Sequence, residues 1–178
     1  CNTSSAVALP ALQKLTDIPI IGVIEPGAEQ AAKTTKNNRI GVIGTEGTIN
    51  SGAYPAAIKK FLPEVQIFSV ACPLFVPLAE EGWLEHPAAE LITKEYLTPL
   101  KEHKIDTLVL GCTHYPLLSK IIQQVMGQEV TLVDSAMAIA DYLSIYLSSE
   151  TDGQKGMDTF YVSDNEAKFA RIAERILN

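Results

Sequence analysis

Basic residues are in short supply in this sequence: 14 Lys and Arg stand against 21 Asp and Glu in 178 residues, a formal net charge of −7. Affinity for DNA or RNA rests largely on neutralising backbone phosphates with clustered Lys and Arg. A nucleic acid is therefore excluded as the principal partner. Long apolar runs are missing as well. Stretches such as Ile18 to Ile24 and Val65 to Cys72 fall far short of the roughly 20 residues that cross a bilayer, so no membrane segment is expected. Cysteine is scarce, and Cys1, Cys72 and Cys112 are an odd number at wide spacing. That argues against a disulfide framework and for a reducing compartment, with the cytoplasm as the expected location. The three histidines are His86, His103 and His114. His114 sits beside Cys112, but the other two show no zinc-ligand spacing, so no metal site is expected.

What is present is a composition that builds a core, 47% hydrophobic and 20% charged, and the length permits one domain or two small ones. The chain opens on Cys1 with neither a Met nor a signal segment. Cys1-Asn2-Thr3-Ser4-Ser5 would suit the lipidated start of a mature bacterial lipoprotein. Such a cysteine is usually followed by a flexible polar tether, however, whereas Ala6-Val7-Ala8-Leu9-Pro10-Ala11-Leu12 is apolar and helix-compatible. A larger globular fold lacking its first segment is the better expectation.

Short β-branched runs alternate with amphipathic segments, the pattern of βαβ units and a parallel sheet. Strands are predicted at 19–25, 39–45, 65–71, 106–111, 129–134 and 159–163, and helices at 4–15, 52–62, 87–102, 116–126, 136–148 and 165–177. The fold class is α/β. A run such as Thr107-Leu108-Val109-Leu110 implies burial on both faces, as a parallel sheet covered by helices requires. Glu25-Pro26-Gly27 and Asp134-Ser135 punctuate the chain and predict a domain at 26–133, with 1–25 and 134–178 belonging to a second whose beginning is missing. The final helix, Glu166 to Leu177, still needs an apolar surface to cover, and Gly153 and Gly156 mark a loop before the last predicted strand.

In open α/β sheets, sites gather at the carboxyl ends of strands. The run Leu110-Gly111-Cys112-Thr113-His114-Tyr115-Pro116 delivers a thiol there, with Pro116 suited to begin a helix. A helix N-terminus favours thiolate and would lower the pKa from ~8.5 toward neutrality. Cys1-Asn2-Thr3 stands before a predicted helix in the same way, so two thiols occupy equivalent positions. Plainer readings stand beside this one. A lone buried cysteine usually behaves as a small hydrophobe, and Cys72 is assigned to that role. A cysteine hydrolase would need Cys112 with a distant His86 or His103, without any local signature. The glycines of Gly41-Val42-Ile43-Gly44-Thr45-Glu46-Gly47 suggest a phosphate-cradling turn with GxxGxxG in place of GxGxxG spacing, which keeps a non-catalytic nucleotide-binding module as a second class. Glu80-Glu81 reads as a solvated helix end.

Four co-linear motifs resemble glutamate racemases: Cys1-Asn2-Thr3, Gly41-Val42-Ile43-Gly44-Thr45-Glu46-Gly47-Thr48-Ile49, Ala71-Cys72-Pro73-Leu74-Phe75-Val76-Pro77-Leu78, and Leu110-Gly111-Cys112-Thr113-His114-Tyr115-Pro116-Leu117-Leu118. Racemases of aspartate or hydantoins share the two-cysteine plan, but the extended Cys72 and Cys112 motifs are similar to the glutamate branch. The resemblance implies two pseudo-symmetric α/β domains, each a parallel sheet flanked by helices, with the substrate in the cleft between them. Cys1 and Cys112 would face the α-carbon from opposite sides. One would remove the α-proton while the other returns a proton. Asn2, Thr3, Thr48 and Thr113 would supply donors around the carboxylate, His114 would assist Cys112, and Glu80 would act beside it. The resemblance further implies no pyridoxal phosphate and no metal, a homodimer, and D-glutamate for bacterial cell-wall synthesis. Family members begin with a strand and a glycine-rich Asp-Ser segment that this sequence does not contain, so the first domain is expected to be incomplete at its N-terminus.

Overall fold

The computed structural model describes residues 1–147 and 159–177. The predicted strands at 39–45, 65–71, 106–111 and 129–134 form as β1 (Arg39–Gly44), β2 (Gln66–Ala71), β3 (Thr107–Gly111) and β4 (Thr131–Asp134). All pair in parallel in the order β2-β1-β3-β4. One such sheet is present among the described residues. β3 is buried throughout and β1 nearly so, as their unbroken apolar runs predict for central strands covered on both faces.

Alternation along the strands sorts the core into two layers. Ile43, Leu108 and Leu110 point to one face, where they meet Phe75, Leu97, Leu100, Tyr115, Leu118 and Ile122. Ile40, Val42, Val109 and Val133 point to the other, against Ile24, Ala28, Ala31, Ala57 and Ile58. The first layer is supplied by α6 (Phe75–Glu80), α7 (Pro87–Glu102), a 3-10 turn (Tyr115–Leu118) and α8 (Ser119–Met126). The second comes from α3 (Ile24–Thr34) and α5 (Ala53–Phe61). Gly41 belongs to the first face because a Cβ there would meet Ile105 at 2.5 Å and Leu108 at 2.9 Å.

Two predicted strands do not form. Residues 18–23 are irregular and lead directly into α3, and 159–163 has no strand either. A β-branched run becomes a strand only where a neighbouring strand accepts its backbone hydrogen bonds. Gly22 instead lies against a helix, so close to Leu9 that a Cβ would come within 2.5 Å of it. Glu25-Pro26-Gly27, read as punctuation, is the first turn of α3. Proline is tolerated there because the first turn's N–H groups have no intrahelical partner. The predicted helix 4–15 divides into α1 (Asn2–Val7) and α2 (Leu9–Leu12), because Pro10 has no N–H to continue the ladder.

The helix over 87–102 forms with the predicted bounds, 52–62 forms as α5, and 116–126 forms as the 3-10 turn plus α8. The predicted 136–148 becomes α9 (Ser135–Tyr146), with residue 148 outside the described residues, and 165–177 becomes α10 (Glu166–Leu177). The loop glycines Gly153 and Gly156 also lie outside them.

Candidate active site

Cys112 directly follows β3, one residue beyond the carboxyl end of a central strand. Cys1 caps α1, and α1 packs on α4 (Glu46–Asn50), the helix entered from the carboxyl end of β1. Both cysteines therefore stand at the carboxyl end of the sheet, with Thr3 beside Cys1 bonded to Thr45 and Thr48 just past β1. Cys1 is exposed and Cys112 is buried.

Burial shapes the chemistry of Cys112. Desolvation pushes its thiol above the ordinary range, while the backbone N–H groups of His114 and Tyr115 pull the other way without prevailing. The expected lowering toward neutrality is thus corrected: only a 3-10 turn follows the thiol, and two donors do not offset removal from water. His114 Nδ1 lies 3.9 Å from Cys112 Sγ, and its Nε2 lies 3.6 Å from Glu80 Oε1. The predicted Cys112, His114 and Glu80 are thereby brought into one line. Glu80 is engaged on both sides, since Lys168 Nζ lies 3.3 Å from its Oε2, so it is more than a solvated helix end.

The segment after Cys1 is fixed by a chain of buried hydrogen bonds. Tyr54 donates to Asn2 Oδ1 at 2.6 Å, Asn2 Nδ2 donates to Ser135 Oγ at 3.1 Å, and Ser135 Oγ donates to the Leu110 carbonyl at 3.2 Å. This chain ties α1 to α5, α9 and β3. Asn2 is 1% exposed, with both side-chain amide atoms engaged inside the protein. Desolvation also pushes the Tyr54 hydroxyl far above its usual range, so it acts as a neutral donor. Beside this chain, three hydroxyls converge: Thr3 Oγ1 lies 2.8 Å from Thr45 Oγ1 and 3.1 Å from Thr48 Oγ1, and Thr45 and Thr48 lie 3.1 Å apart. Thr45 also caps α4 by accepting from the Thr48 N–H at 3.3 Å. Thr113 is exposed between Cys112 and His114.

Sequence reasoning missed Tyr54, Thr45, Ser135 and Lys168. Thr45 and Ser135 lay within segments already singled out and needed only the observation that a hydroxyl follows the strand. Tyr54 and Lys168 carried no local signal, because tertiary packing alone brings them to this edge.

Two alternatives lose their geometry. Gly41 and Gly44 lie inside β1 and Gly47 inside α4, so the three glycines do not form one phosphate-cradling loop. Gly44 is small because a Cβ would come within 3.2 Å of both the Gly111 carbonyl and Thr48. His103 stacks on Phe68 at 3.9 Å, and its carbonyl accepts from Arg39 Nε at the start of β1, the far end of the sheet from Cys112. His86 stacks on Trp83 and caps α7 by accepting from the Ala88 N–H. Neither is arranged as a hydrolase base for Cys112. Cys72 is fully buried, and burial pushes its thiol far above the ordinary range, consistent with packing.

Known proteins resemble this chain in sequence and in fold. The chain is 51% identical over 181 residues to a glutamate racemase of Geobacter metallireducens, an alignment covering 99% of this chain and 67% of that protein. The crystal structure of a Bacillus anthracis glutamate racemase isoform superposes with a TM-score of 0.91 at 39% identity, over 99% of this chain and 68% of that one. A Francisella tularensis glutamate racemase solved in complex with D-glutamate superposes with a TM-score of 0.87 at 36% identity, over 99% and 67%. The chain thus spans about two thirds of the relatives' length. The pattern of the Asp/Glu/Hydantoin racemase family matches residues 1–143, which take in both Cys1 and Cys112 and the hydrogen-bonded cluster around Asn2 and Thr3, and the chain belongs to that family.

Proposed function

We propose that this chain is the greater part of a glutamate racemase that inverts the α-carbon with Cys1 and Cys112. The observation that carries this reading is the placement of Cys1 and Cys112 at the carboxyl end of one sheet, in a chain half identical to a glutamate racemase. In one direction the thiolate of one cysteine takes the α-proton and becomes a thiol. The electron pair left on carbon then takes a proton from the opposite thiol, which becomes a thiolate. Reversing direction exchanges the roles. Burial keeps Cys112 protonated and ready to donate. When it must act as base, the imidazole of His114 is near enough to receive its proton, with Glu80 orienting the ring.

The developing carbanion needs donors fixed around the carboxylate. Thr3, Thr48 and Thr113 fill this role, while Asn2 contributes from its buried position beside Cys1. In this reading residues 1–25 and 134–178 belong to a first α/β domain and 26–133 to a second, pseudo-symmetric one, with the substrate between them. The enzyme works in the cytoplasm without pyridoxal phosphate or metal, assembles as a homodimer, and supplies D-glutamate for peptidoglycan.

The test is inversion of L- and D-glutamate by the full-length protein without added cofactor, followed by circular dichroism and by α-deuterium incorporation from deuterium oxide. Inversion of both enantiomers, with deuterium in the product, is expected. Inversion of aspartate or a hydantoin in place of glutamate would move the assignment to a neighbouring branch of the family.

A further inference from the structure

We propose that Lys168 of α10 is a positioning residue for the His114–Cys112 pair, acting through Glu80, an inference that rests on the racemase reading above. Its Nζ lies 3.3 Å from Glu80 Oε2 and 3.1 Å from Glu81 Oε1. The other oxygen of the same carboxylate, Oε1, faces His114 Nε2 at 3.6 Å, and His114 Nδ1 faces Cys112 Sγ at 3.9 Å. Four groups from three separate parts of the chain thus form one line, Lys168 to Glu80 to His114 to Cys112. Lys168 takes the oxygen of Glu80 that His114 does not use.

The local charges explain why such a residue is needed. Glu80 and Glu81 are adjacent like charges at the carboxyl end of α6, where the backbone carbonyls already disfavour anions. Each carboxylate would turn away from the other into water unless a cation lies between them. Lys168 is that cation, bridging both with its side chain 34% exposed. Arg171, one helical turn further along α10, lines the same cleft with Ile172. An isolated surface pair would contribute little. This one fixes the direction of a carboxylate that in turn orients a proton-transfer group, and orientation at the reacting centre governs rate more steeply than stability.

Lys168 does not touch the reacting atoms, so its loss should slow turnover without weakening substrate binding. In the full-length protein, Lys168→Met is expected to lower kcat about fivefold with KM within about twofold of wild type, and Lys168→Arg should restore most of the rate. Glu80→Gln should be slower than wild type, and adding Lys168→Met to it should cost nothing more, because both changes break the same line. A merely structural lysine would give effects that multiply in the double variant. Multiplying effects, or wild-type kcat in Lys168→Met beside a slow Glu80→Gln, would overturn the proposal and leave the racemase reading intact. A Glu80→Gln enzyme at the wild-type rate would overturn it together with the role given to Glu80.

Discussion

At the residue scale, Cys112, one of the two proposed acid–base groups, also leaves a pH signature. An exposed thiol ionises near its ordinary pKa of ~8.5 in the unfolded chain, whereas burial raises it in the folded protein. The folded state therefore holds a proton that the unfolded state has released. The stability this contributes is fully present below the unfolded pKa and is lost as pH rises through the folded one. Urea denaturation midpoints should fall between about pH 7 and about pH 10, and Cys112→Ser should flatten part of that fall. The remainder belongs to Cys72 and, toward pH 10, to Tyr54 and Tyr115, which burial raises in the same sense. An unchanged slope in Cys112→Ser would show that the thiol ionises over the same pH range in the folded and unfolded chains, contrary to its burial. That Cys112 follows the end of a strand was legible in the sequence; that only a 3-10 turn follows it, and the sign of its shift, were not. Proximity to a helix start is a local property, whereas desolvation is set by the core layer that Cys112 shares with residues distant in sequence such as Phe75 and Leu97.

At the element scale, the strands and longer helices follow from local pattern, and the misses share a cause. Strands 19–25 and 159–163 had the right residues, but a strand is completed by a neighbour, and pattern cannot supply one. α3 was hidden because Pro26 and Gly27 look like a turn until their place in the first helical turn is known. Gly27 faces Tyr54, where a Cβ would come within 3.2 Å of the hydroxyl, so its smallness serves packing. The same reasoning identifies Gly111 as the tightest point where β3 delivers Cys112. A Cβ there would meet the Ile43 carbonyl at 2.6 Å and Tyr54 at 3.0 Å, and the first of these is backbone of β1 that cannot move freely. Gly111→Ala should destabilise the protein by about 1–3 kcal/mol. It should also lower activity by displacing Tyr54 from Asn2, measurable as a reduced denaturation midpoint with a reduced kcat. Full stability in that variant would mean that the sheet edge yields more readily than its packing implies.

At the scale of the whole molecule, one parallel sheet collects at a single edge the groups that the sequence scatters over its length. Cys1 and Thr3 arrive from the first helix, Thr45 and Thr48 from the end of β1, Cys112 and His114 from the end of β3, and Ser135 from the end of β4. The parallel topology is what does this, because every strand then ends on the same side. The four motifs pointed to the family without the fold. The hydrogen-bond chain from Tyr54 to Leu110 and the line from Lys168 to Cys112 needed the fold, since their members lie 25 to 133 and 2 to 88 residues apart in sequence.

The two-thiol mechanism is the central claim, and its most direct test compares Cys1→Ala and Cys112→Ala in the full-length protein for inversion of each glutamate enantiomer in deuterium oxide. Each variant is predicted to lose inversion in both directions while keeping the wild-type denaturation profile within about 1 kcal/mol. Inversion at the wild-type rate in either variant would contradict the claim.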